Sequence, residues 1–280
     1  MKLSLALTPA PTVFAPLLYA GDLMRGMRRA AELGYDGIEL NLRDPGVENL
    51  DVILSAAQAH GLAIISLGTG QAYLADGLSV AAPDPAIRAM LVERVKRHVD
   101  FAARTGAFVV LGGVRGRFEG DAAARRSQYA GAVAVVRQLA DYATPRGVTI
   151  TLEPINRYES NFLNNVDDTL AFLRDVDRPA VKVLLDTFHM NIEEANMCAA
   201  FERAGPRLSH IHLVDSNRRA PGMGHLDFEP ILATLRGIGY DGYLSGEFLP
   251  LPDDDAAAEE NIAYVRRLLA GSHLPGEPVG

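Results

Sequence analysis

The chain is short of the residues that carry several kinds of chemistry. Among 280 residues there is one cysteine, Cys198, and no tryptophan. A single thiol rules out an intramolecular disulfide and any cysteine-based zinc cluster, and on a helical stretch it reads as a small apolar side chain. Basic residues are outnumbered, with 27 Lys and Arg against 35 Asp and Glu, a net charge of −8. Without a long Lys/Arg cluster, that balance argues against nucleic acid as a partner. No run of about 18 apolar residues occurs, so no transmembrane helix and no membrane partner are expected. The opening MKLSLALTPAPTVFAP has only Lys2 before its apolar run and is broken by Pro9, Pro11 and Pro16, which suits a first strand at Lys2–Leu7 better than a secretion signal. The cytoplasm is the expected compartment. No GxGxxG follows the first strand and no Walker sequence appears.

What is present is a regular alternation in a chain that is 48% hydrophobic. Short apolar runs at Lys2–Leu7, Asp36–Leu40, Leu62–Gly68, Ala107–Gly113, VTITLE, VKVLLD, Leu208–Leu213 and Gly242–Glu247 read as strands. Between them come helical patterns, among them Val47–His60, Pro85–Arg104, Ala122–Thr144, Asn165–Val176, Ile192–Ala204, Phe228–Ile238 and Ala256–Leu269. Near-continuous apolar strands separated by helices imply a parallel sheet covered by helices. Eight such units in one chain predict a single (β/α)8 TIM barrel over residues 1–280, with a loosely held tail at 271–280. Gly68–Pro83 reads as a long loop, either a cover for the barrel mouth or a subunit contact.

Two successive strands stop on an acid, Glu153 in TITLEPINRYES and Asp186 in VKVLLDTFHMN. In a barrel the strand ends converge on one mouth, where active sites sit. The next two strands end on His212 and Glu247, so four adjacent strands deliver four metal-ligand side chains. Three carboxylates and one imidazole suit one divalent ion, Mn²⁺ first and Mg²⁺ or Co²⁺ next. Each residue alone has an ordinary explanation. Asp186 could be only a helix N-cap, and a strand histidine is most often a satisfied core residue. His210 and His212 are expected to divide between the barrel interior and the helix layer. Four ordinary explanations on consecutive strands are far less economical than one metal site.

Taken with their flanking residues, LEPINRYES, LLDTFHMNIEE, HIHLVDSNRRAPGMGHLDF and the GE of YLSGEF resemble the xylose-isomerase-like sugar isomerase and epimerase barrels. Within these they resemble the ketose 3-epimerases of the D-tagatose and D-psicose type. The resemblance implies that Glu153, Asp186, His212 and Glu247 hold the metal, that Glu153 and Glu247 are catalytic, and that Glu159, His189 and Arg218 bind substrate. It also implies a homo-oligomer. GTGQAYLADGLS, GVRGR and NLRDP extend the likeness to bacterial 5-keto-L-gluconate epimerases. Arg43, Arg115 and Arg117 follow the second and fourth strands, on the mouth that would hold the metal. Arginine suits bidentate capture of a carboxylate, although any of the three could instead pair with Glu119 or Asp44 at the surface.

The expected reaction is proton abstraction next to a ketone by one of Glu153 and Glu247, followed by return of a proton from the opposite face by the other. The expected substrate is a small ketose or keto-sugar acid, of 5-keto-L-gluconate or D-tagaturonate type. An aldose–ketose or hydroxypyruvate-type isomerase is the nearest alternative. An abasic-site endonuclease would need more histidine ligands and a basic groove, and a non-catalytic sugar-acid-binding barrel would not need two acids placed for proton transfer.

Overall fold

The computed structural model describes residues 1–12 and 15–271; the expected loose tail therefore lies, apart from Gly271, outside the described residues. Eight parallel strands close into a barrel in sequence order: β1 (Lys2–Leu7), β2 (Gly37–Asn41), β3 (Ala63–Gly68), β4 (Phe108–Leu111), β5 (Ile150–Leu152), β6 (Val181–Asp186), β7 (Leu208–His212) and β8 (Tyr243–Gly246). Closure runs through β1 and β8, with Leu3 opposite Leu244 and Leu5 opposite Gly246. The chain therefore has the single TIM-barrel fold its sequence predicts. No helix among the described residues is long and apolar enough to cross a membrane.

Ten α-helices surround the sheet among the described residues: α1 (Leu23–Leu33), α2 (Leu50–Ala59), α3 (Gly70–Asp76), α4 (Pro85–Thr105), α5 (Ala122–Ala143), α6 (Val166–Val176), α7 (Thr187–Glu193), α8 (Met197–Ala204), α9 (Phe228–Gly237) and α10 (Asp254–Leu269). Most start on an Asp or Asn whose side chain accepts a hydrogen bond from the first turn, each such cap contributing about 1 kcal/mol. Asp121 caps α5 through the Ala123 and Ala124 amides, and Asn165 caps α6 through Asp168. The outward strand residues Ile38 and Leu40 pack with Met27, Ile53 and Val95 in the layer between sheet and helices.

Two expectations change in detail. The predicted loop 68–83 contains α3, closed by Gly77 in the left-handed region at φ 67°. There a glycine ends the helix at no steric cost. The predicted helix Ile192–Ala204 is two helices. Asn196 turns its side chain onto the Ala199 amide to start α8, and Glu194 bonds the Val166 amide at 2.8 Å, so the chain breaks between them. Asn competes for backbone groups in this way, and so favours a cap over a helix interior.

Candidate active site

The strand register brings the four acid and histidine positions together. Asp186 lies opposite His212 across β6 and β7, and His212 lies opposite Ser245, two residues before Glu247. On the other flank, Leu111 pairs with Leu152, so Glu153 follows one step beyond, beside Gly112. A Cβ at Gly112 would stand 2.3 Å from Glu153 Oε2, so only glycine lets the carboxylate lie there.

Ligand-type atoms from Glu153, Asp186, His212 and Glu247 all lie within 4.8 Å of one another. His212 Nδ1 stands 3.6 Å from Glu153 Oε1, 3.7 Å from Asp186 Oδ2 and 3.6 Å from Glu247 Oε2. Those are too long for hydrogen bonds, but atoms sharing an ion at roughly 2.1 Å stand roughly 3.0–3.7 Å apart. Glu153 Oε1, Asp186 Oδ2 and His212 Nδ1 are buried and have no hydrogen-bond partner. Burial without a partner is costly, and one divalent ion would satisfy all three at once. The donor set therefore fits a metal. Asp186 is a helix cap, as its ordinary explanation has it, with Oδ1 accepting from the Phe188 amide at 2.7 Å, while Oδ2 faces the cluster.

Without an ion the cluster is short of positive charge. Burial pushes the Glu247 carboxyl up to about 8, Glu153 adding to the rise while His212 opposes it. Burial disfavours a charge on His212, yet Glu39 and Glu247 hold that ring well above an ordinary histidine. Burial would likewise raise Asp186, but His189 and His212 hold it below its usual range.

Behind His212 lies Glu39, which sequence reasoning missed. His210 and His212 do not divide between interior and helix layer: residues two apart on a strand share a face, and both rings point inside the barrel. Glu39 Oε1 lies 2.7 Å from His210 Nε2 and 3.2 Å from His212 Nε2, and Ser66 Oγ donates to Glu39 Oε2. A carboxylate on Nε2 leaves the Nδ1 lone pair for the cluster. Burial alone would raise Glu39, but the two histidines hold it well below the usual carboxylate range. An acid set between Ile38 and Leu40 in the strand GIELN is the available signal.

The cavity in front of the cluster measures about 400 Å³ and is lined by Glu153, His212 and Glu247, and by Glu159, His189 and Arg218. Arg218 Nη1 donates to Glu159 Oε1 at 3.0 Å, and its guanidinium carbon lies 4.9 Å from the centre of the Phe188 ring. Its backbone is left-handed at φ 61°, an unusual state for a side-chain-bearing residue. The fully buried Asp215 holds that turn by accepting from the Ser216, Gly222 and Leu226 amides.

The three arginines after β2 and β4 part company. Arg115 is fully buried and lines the cavity, with Nη1 donating to Phe162 O and Leu163 O and Nε without a partner. Burial pushes it down to about 10, Glu153 and Glu159 working the other way. Arg43 is exposed and pairs with Asp76 at 2.5 Å, and Arg117 is exposed; neither lines the cavity. Asp44 pairs with Arg94 and Arg97, not with Arg43. In the NLRDP stretch the residue that reaches the cavity is Asn41, whose Oδ1 would be 2.0 Å from a Cβ at Gly68. Gln71 and Tyr73 from α3 line the same side.

The model of the xylose isomerase-like TIM barrel family matches residues 27–268 of the chain. The chain belongs to this family. It is 36% identical over 240 residues to the L-ribulose 3-epimerase of Methylomonas sp. (strain DH-1), covering 82% of each. It is 26% identical over 261 residues to the 3-dehydro-D-guloside 4-epimerase of Escherichia coli K12, covering 88% of this chain and 94% of that one. Among solved structures, D-allulose 3-epimerase from Methylomonas sp. in complex with D-allulose superposes with a TM-score of 0.80 at 30% identity, covering 95% of this chain and 97% of that one. These relatives are epimerases, and this family member is an enzyme of the isomerase class.

Proposed function

We propose that the protein is a metal-dependent epimerase of a keto-sugar acid, of 5-keto-L-gluconate or D-tagaturonate type, inverting a carbon next to the ketone. The observation that carries this reading is the set of buried, unpartnered ligand atoms of Glu153, Asp186 and His212, beside a sugar-sized cavity that Glu153 and His212 line. Glu153, Asp186, His212 and Glu247 would hold one divalent ion, Mn²⁺ before Mg²⁺ or Co²⁺. Such an ion supplies the electrophile that lowers the cost of an enediolate.

The chain's own residues do the rest. Glu153 and Glu247 stand just beyond the ends of β5 and β8, so they approach a flat intermediate from different sides. One removes the proton next to the carbonyl and the other returns a proton to the opposite face. Glu159, His189 and Arg218 bind the sugar's oxygens. Arg115 binds the carboxylate of the substrate: a buried guanidinium with an unpartnered Nε at a cavity wall gains most from an anion. Arg43 and Arg117, grouped with it on sequence grounds, would at most steer an anion from outside. The scarcity of cysteine supports a cytoplasmic setting, the likeness to sugar epimerases supports a homo-oligomer, and pairing of β1 with β8 supports one domain.

The second reading is a neutral ketose as substrate, favoured by the D-allulose bound to the solved relative. A Mn²⁺-supplemented panel of ketohexoses and keto-hexonates, followed by NMR in D₂O, separates the two. Deuterium entering a keto-acid at the inverted carbon is expected; turnover of neutral ketoses alone would remove the keto-acid assignment. No exchange into any sugar would remove the epimerase reading itself.

A further inference from the structure

Asn156 lies in the turn after β5, is 1% exposed, and does not line the cavity. Its amide is nevertheless fixed from three directions. Oδ1 accepts from the Tyr158 backbone N–H at 3.0 Å, and Nδ2 donates to Glu159 Oε1 at 2.9 Å. A backbone N–H only donates and an ionised carboxylate only accepts, so the oxygen and nitrogen of this amide are not interchangeable. The other hydrogen of Nδ2 meets His189 Nδ1 at 2.8 Å, and the Asn156 backbone N–H faces the same ring nitrogen at 3.5 Å.

Two donors aimed at one ring nitrogen require a lone pair there. We propose that Asn156 is a positioning residue that fixes the proton of His189 on Nε2, the nitrogen left for the cavity, and clamps Glu159 beside it. Burial lowers His189, against the pull of Asp186 and Glu153, in keeping with a neutral ring. His189 is then an N–H donor to a substrate oxygen and takes no proton from the substrate, leaving proton transfer to the glutamates. What His189 holds rests on the epimerase reading above; the tautomer does not.

Asn156→Asp tests the inference with almost no change of shape. A carboxylate accepts where the amide donated, so it selects Nδ1–H on His189 and repels Glu159. Long-range ¹H–¹⁵N correlation spectra of the Mg²⁺-loaded protein, with His189 assigned through His189→Gln, are expected to show Nε2–H in the wild type and Nδ1–H in Asn156→Asp. The catalytic efficiency kcat/KM is expected to fall roughly 10²-fold, the rise in KM exceeding the fall in kcat. Nδ1–H in the wild type overturns the proposal, as does a wild-type tautomer in Asn156→Asp whatever its activity. A switched tautomer with kcat/KM within about twofold of wild type, the spread of an inconsequential change, overturns the positioning role. Should Asn156→Asp not fold, Asn156→Ala is read the same way, with a mixture of tautomers expected. If no sugar is turned over, the spectra still decide the tautomer.

Discussion

The two sides of the cavity are built on different principles. On one side Glu153, Asp186, His212 and Glu247 stand at or just beyond the ends of β5 to β8, placed by strand register, with Gly112 leaving room for Glu153 and Glu39 backing His212. On the other side Asn41, Gln71 and Arg115 come from the end of β2, from the short α3 and from the turn after β4. The first side is built on strand ends and rich in unpartnered ligand atoms. The second is polar and carries one buried charge. Chemistry needs atoms held to fractions of an ångström, which strand ends provide; substrate choice can be carried by segments that vary without disturbing the sheet.

The comparison can be broken at its strongest point first. Glu153→Gln and Glu247→Gln should each lower kcat by about 10²–10⁴-fold, the usual size of an acid–base contribution. Near-full activity in either variant, by NMR or coupled assay, would end the two-glutamate scheme. Arg115→Met should cost about 10²-fold in kcat/KM on a keto-hexonate and much less on a neutral ketose, as loss of a buried charge-assisted contact requires. Arg43→Ala, which breaks an exposed pair, should stay within about threefold on both. If Arg43→Ala matched Arg115→Met, the division of labour drawn between them would fail.

Glu39→Gln should weaken divalent-ion affinity by about 10–100-fold in titration calorimetry while the fold persists, because the carboxylate sets which nitrogen of His212 is free. An unchanged affinity would reduce Glu39 to core filling. The smallest effect is one of pH. In the ion-free protein Glu247, raised to about 8, and His212, raised above an ordinary histidine, keep protons that the unfolded chain releases at lower pH. The contribution of Glu247 to stability is thus fully present at low pH and is lost as the pH rises from about 5 to 8, and that of His212 is lost as the pH rises above the ordinary histidine range. The lowered Glu39 and Asp186 act with opposite sign, but only as the pH falls below the ordinary carboxylate range. An ion displaces those protons, so the gain in melting temperature on adding Mn²⁺ should be larger at about pH 8 than at about pH 5.5. Equal gains would mean that metal and proton do not compete at this cluster.

The metal-facing side is legible in the sequence because each ligand follows an apolar strand run, and a closed barrel turns that position into a place at the mouth. The opposite side is not. NLRDP suggests Arg43, yet the alternation of β2 places Asn41 on the cavity side with Glu39, and Asp76 of α3 draws Arg43 away. GVRGR offers two arginines; the short turn after β4 buries the first against Phe162 O and Leu163 O and leaves the second in solvent. Asn156 sits inside the LEPINRYES stretch, but an amide's role depends on what its two ends meet.

By itself, then, the sequence determined the barrel and the acids and histidine at its mouth, because periodicity and strand-end chemistry are local and repeat eight times. Only the tertiary structure decided which oxygen of Asp186 caps a helix and which faces the cluster, that Glu39 stands behind His212, and that one arginine of three reaches the cavity. Those outcomes depend on contacts between residues dozens to more than a hundred positions apart, Glu39 with His212 among them. No local pattern encodes such a contact; the closing of the sheet creates it.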